Sequence, residues 1–78
     1  MSATALQVLD DEIEVISQSL SRHRARADRT AARKGERDIH ADRVCDWAEY
    51  RRDRLRAARA EIARLIASNQ HATEGATA

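Results

Sequence analysis

Residues 27–44 read ADRTAARKGERDIHADRV, and the fold is decided by Lys34-Gly35-Glu36 within them, the one break in an otherwise helical middle. Upstream, Leu6, Leu9, Ile13, Ile16, Leu20, His23, Ala27 and Thr30 recur at alternating three- and four-residue steps, the spacing of a heptad seam on one helix face. Downstream, Val44, Ala48, Arg51, Leu55, Ala58, Ile62 and Leu65 make a second seam, with Ile66 beside it. Gly35 suits the left-handed position just past a helix end, and Asp38 is placed to cap the next helix. At the start, Thr4-Ala5-Leu6-Gln7 has capping-box spacing, while Ser68 and Asn69 offer a stop. This predicts an all-α chain with a lead at 1–3 and a helical hairpin over 4–68. Its first helix spans about 5–34, its turn about 35–37 and its second helix about 38–68, followed by a flexible tail at 69–78.

Composition agrees. The chain has 78 residues, 35% of them charged and 3% aromatic, with two Gly, no Pro and no Phe. That leaves too little apolar bulk to enclose a deep pocket and too few turn residues for a sandwich or barrel. No set of nucleophile, base and orienting group stands out, nor does a Gly-rich phosphate loop, so the chain reads as a non-enzyme without cofactor or small-molecule substrate. His23, His40 and His71 lack metal-ligand spacing, and the single Cys45 has no second thiol. Cys45 also falls off the seam, as a bystander. With no signal-peptide pattern and no apolar run of about 18 residues, the chain is expected to be cytoplasmic and free of membrane.

The two seams fit each other. In an antiparallel pair folded about Gly35–Glu36, the numbers of facing residues add to about 71. Leu9 then faces Ile62, Ile13 faces Ala58, Ile16 faces Leu55 and Ala27 faces Val44. Flanking charges, not used to set this register, match as well: Arg22 with Glu49, Arg29 with Asp42, Arg33 with Asp38 and Glu12 with Arg59, while Arg26 and Asp46 miss by one. Exposed pairs are each worth only about 0.2–1 kcal/mol, but matched signs disfavour slipped registers. Two uninterrupted helices from different chains, swapped about a twofold axis, satisfy the same arithmetic. Against them, Gly35 sits at the centre of symmetry, where a helix interior would lose about 1 kcal/mol.

A lone helix pair of this size is marginal. Val8 and Val15 lie one heptad apart, off the main stripe of the first helix. With Leu6 and Ile66 they are the expected oligomer interface of a homodimer forming a coiled-coil-like four-helix bundle; the bland reading is two exposed valines. Arg51 falls at a seam position facing Leu20, where a charge fixes register or else snorkels out along its own stem.

Arg43, Trp47, Tyr50 and Arg54 step by four, three and four along the second helix, with Ile39 on their flank. Trp, Tyr and Arg are the residue types enriched at interface hot spots. The competing reading tucks Trp47 into the seam beside His23 and Ala27. The expected function is a small protein-binding adaptor or inhibitor that uses this face, such as a bacterial or phage accessory protein acting on a host protein. The alternative is an RNA- or DNA-binding hairpin dimer using Arg22, Arg26, Arg29 and Arg33 near the turn; a third is a purely structural oligomerisation module. Net charge of +1 offers no bulk field toward nucleic acid. The 13 Arg against one Lys are also what a high-GC coding sequence, as in many actinobacteria and their phages, would give.

Overall fold

The computed structural model describes residues 3–77, with side chains at 4–70. Two α-helices, α1 (Ala3–Lys34) and α2 (Ile39–Thr77), pack against each other as an antiparallel hairpin. The result is a rod of 67 × 16 × 13 Å. Its radius of gyration, 18.8 Å, far exceeds the roughly 12 Å of a compact chain this long.

The turn is built from side chain and backbone together. Gly35 adopts φ +77° and its N–H reaches the Ala31 carbonyl at 2.8 Å, the bond that closes a left-handed C-terminal cap. Asp38 caps α2: its Oδ1 accepts from the N–H groups of His40 at 2.9 Å and Ala41 at 3.3 Å. Arg37 then clamps the junction. It donates two hydrogen bonds to Asp42, at 2.8 and 2.7 Å, and one to Asp28 of α1 at 3.0 Å. Arg37 and Asp42 hold the positions where a hydrophobic staple normally sits, so here a charged pair fixes the entry angle of α2. The guanidinium of Arg37 holds the Asp42 carboxyl below the usual carboxylate range, and its own pKa is raised in turn.

The described helix ends differ from the expected ones. Thr4 lies inside α1 rather than before it, and Gln7 donates forward to Asp11 at 2.9 Å instead of back to a cap. At the other end α2 runs through Ser68 and Asn69 to Thr77. No non-Gly residue among those described adopts positive φ, so neither of these two supplies a left-handed stop. Met1 and Ser2 of the lead, and the side chains from His71 onward, lie outside the described residues.

The seam of α1 is Leu6, Leu9, Ile13, Ile16, Leu20, Arg24, Ala27 and Ala31, with Thr30 half-buried beside it. His23 is exposed, because the step after Leu20 is four residues and not three. In α2 the seam is Ala41, Cys45, Ala48, Arg52, Leu55, Arg59, Ile62 and Ile66. Four expected seam residues, Val44, Arg51, Ala58 and Leu65, are exposed and their neighbours occupy the seam instead. The helix is thus rotated by about one residue from the expected face. Cys45, expected to be a bystander, is the most buried described residue at 2% exposure, and only Leu20, at 6%, joins it as fully buried. The stems of Arg52 and Arg59 cover the seam while their heads find carboxylates outside it. Leu6 and Ile66, expected at an oligomer interface, are half-buried in the seam near the terminal end.

Candidate protein-binding edge and arginine stripe

The hairpin has two unlike broad sides. On one, ion pairs cross between the helices: Asp10–Arg59 at 2.9 Å, Arg24–Glu49 at 2.9 Å and Arg24–Asp46 at 3.5 Å, with Asp28–Arg37–Asp42 at the turn. The Asp10 carboxylate raises the pKa of Arg59 through its hydrogen bonds. The three pairs away from the turn, Asp10–Arg59, Arg24–Glu49 and Arg24–Asp46, lie within two of the expected sum of about 71, so the register is as read from the sequence. The partners are different, however. Glu49 and Asp46 take Arg24 rather than Arg22 or Arg26, Asp42 takes Arg37 rather than Arg29, and Arg59 takes Asp10 rather than Glu12. Asp38 is engaged as a cap and not with Arg33.

On the other broad side, a shallow groove brings His23, Ala27 and Thr30 of α1 against Ala41, Val44 and Cys45 of α2. No ion pair among the described residues crosses it. Arg22, Arg26, Arg29 and Arg33 rim this side and the neighbouring outer edge of α1, and none makes an ion pair with a described residue. Val8 and Val15 share the side further along, 58% and 61% exposed. Val44, Arg51, Ala58 and Leu65, one heptad apart, line the same side of α2.

The outer edge of α2 carries the aromatic cluster. Trp47 points away from the seam at 62% exposure and Tyr50 is 50% exposed. Their rings stack with centroids 5.6 Å apart and planes inclined by 26°. Arg54 lies over the Tyr50 ring, 5.7 Å from its centroid, and donates to the Tyr50 hydroxyl at 3.2 Å. Arg43 is exposed one turn before Trp47, and Ile39, also exposed, begins the helix on the flank of this edge. The structure therefore brings Arg43, Trp47, Tyr50 and Arg54 together on one edge and does not use Trp47 to fill the seam.

No family model matches the chain, and neither a curated protein nor a solved structure does. Among the described residues no group of three or more His, Cys, Asp or Glu is placed to hold a metal, and no helix is long and apolar enough to cross a membrane.

Two residues that organise the site escaped the sequence reading. Arg24 supplies the central cross-helix pairs, and Arg37 ties α1, the turn and α2 together. The signal for Arg37 was present in Arg37-Asp38-Ile39-His40-Ala41-Asp42, where an Arg just before a capping Asp is followed five residues on by a carboxylate.

Proposed function

We propose that this chain is a small non-enzymatic adaptor or inhibitor that binds another protein through the outer edge of α2. The observation that carries the reading is the Trp47–Tyr50–Arg54 stack, an ordered aromatic and cationic surface left open by the hairpin. Side chains of this kind offer large contact area with few rotamers to freeze, which is the common makeup of an interface hot spot. Ile39 and Arg43 extend the surface. Such a module fits an accessory protein of a bacterium or phage acting on a host protein. The scaffold in this reading is a homodimer, a four-helix bundle in which Val8 and Val15 are covered. With two fully buried side chains among those described, a single hairpin has little else to stabilise it.

The test is capture of partners by tagged wild type and by the double variant Trp47→Ala/Tyr50→Ala, with nuclease in both and helicity followed by circular dichroism. The expected result is loss of the captured protein at unchanged helicity. Capture by the double variant at the wild-type level would sink the proposal.

A second reading is nucleic-acid binding through Arg22, Arg26, Arg29 and Arg33. It is favoured by the fact that all four stand without ion pairs among the described residues, where the sequence led us to expect carboxylates opposite. Binding of labelled oligonucleotide would then weaken steeply with salt and lose part of that slope in Arg22→Ala/Arg29→Ala.

A further inference from the structure

The open broad side of α1 has a symmetry of its own. Val8, Glu12, Val15, Ser19, His23, Arg26 and Thr30 follow one another at steps of four, three, four, four, three and four, a single stripe along the side that the cross-helix ion pairs leave free. The spacing of the stripe, though not its residue types, is the same in either direction about Ser19. Seven residues before it stands Glu12 and seven after it Arg26; four before is Val15 and four after His23. Glu12, Val15, His23 and Arg26 are all exposed, and neither Glu12 nor Arg26 makes an ion pair with a described residue.

From this we infer that the surface docks a second copy of this chain, antiparallel, with α1 on α1 and the twofold axis passing at Ser19. The inference rests on the homodimer of the proposed function and specifies its geometry. In this arrangement Glu12 of each copy meets Arg26 of the other, so one residue pair is made twice. Val15 covers His23, and Val8 covers the exposed face beside Thr30. Ser19 meets its own symmetry mate, and its small side chain lets the two helices approach at the axis. The His23 ring is already turned toward this point, with Nδ1 donating to the Ser19 carbonyl at 2.7 Å.

Charge selects this direction over the parallel one. Residues 1–20 carry four acids and no base, and residues 21–34 of α1 carry six bases and one acid. An antiparallel pair lays the acidic half of one α1 along the basic half of the other, whereas a parallel pair sets like on like. The one acid of the basic half, Asp28, is occupied on the opposite side by Arg37. The same axis brings α2 onto α2 near Arg51, whose long stem carries its head to the rim. Trp47, one turn before Arg51 and lining the same surface depression, lies at the margin of this contact, while Tyr50 and Arg54 are turned further outward and a dimer displays them twice.

The test is charge reversal, read by sedimentation equilibrium. Glu12→Arg and Arg26→Glu each place like charges at both symmetric contacts and should weaken the dimer about tenfold or more at low salt. The double variant Glu12→Arg/Arg26→Glu restores opposite charges and should recover the wild-type affinity. Both residues are exposed and unpaired within the described hairpin, so circular dichroism at concentrations where each variant is dimeric should show it as helical as wild type. Wild type that stays monomeric at millimolar concentration overturns the dimer reading together with this geometry. A wild-type dimer unaffected by either reversal overturns the antiparallel geometry and leaves the dimer standing.

Discussion

Replacing Gly35 with alanine distinguishes a hairpin from a swapped pair of continuous helices by the sign of its effect. Gly35 sits at φ +77°, and a Cβ built there would meet nothing within 4 Å. There is accordingly no steric clash, and only the backbone preference remains. An L-residue held in the left-handed region costs about 1–2 kcal/mol, offset in part by the lower chain entropy of alanine in the unfolded state. The net expectation for the hairpin is a loss of about 1 kcal/mol, which for a domain of this size lowers Tm by roughly 4–8 °C. In a continuous helix the same change removes a poor helix former and stabilises each chain by about 1 kcal/mol. Thermal unfolding followed by circular dichroism, with the mass measured by sedimentation at the same concentration, reads both quantities. A higher Tm accompanied by an elongated dimer would refute the argument that Gly35 closes a turn.

Further expectations follow from the thin core and from the clamp at the turn. Leu20→Ala removes one of the two fully buried side chains among those described; large-to-small changes at such sites cost about 2–5 kcal/mol, comparable to all that a core of this size supplies. Its thermal melt should therefore lose cooperativity near room temperature. Because Arg37 lowers the Asp42 carboxyl below its ordinary range, the stabilisation from this pair is present above about pH 4 and is lost as the pH falls through the lowered value. Wild type should lose more melting temperature on acidification than Asp42→Asn does; equal losses would show that the clamp does not hold the turn.

The hairpin, its register and the outward placement of Val8 and Val15 were legible in the sequence, because each rests on spacing or on a residue with one backbone preference, whereas Trp47 fitted a place in the seam as well as one on the outer edge it occupies. The azimuth of α2 was not. Val44 and Cys45, Ala58 and Arg59, and Leu65 and Ile66 are adjacent pairs, each offering a residue whose carbon atoms can fill a seam; hydropathy favoured the wrong member of the first two, and heptad spacing carried the error on to Leu65. Packing chose the small thiol at Cys45 and the aliphatic stems of Arg52 and Arg59, whose charges a hydropathy count sets against burial. The ion pairs failed for a related reason. A constant sum fixes the level along the rod and says nothing of the side. Arg22 and Arg24 differ by about 3 Å in level but by more than half a turn around the helix, so of these two Glu49 pairs with Arg24 alone.

Cys45 is the only cysteine in the chain and the most enclosed described side chain. Its sulfur contacts reagent only when the helices part, so the rate of thiol modification is a clock for hairpin opening. With dilute reagent the rate reports the population of the open form, and with abundant reagent it saturates at the opening rate itself. The Trp47–Tyr50 edge lies on the far side of α2 from this thiol. A ligand seated on that edge cannot shield the sulfur directly, and any slowing of the clock measures how far binding at the rim holds the two helices shut.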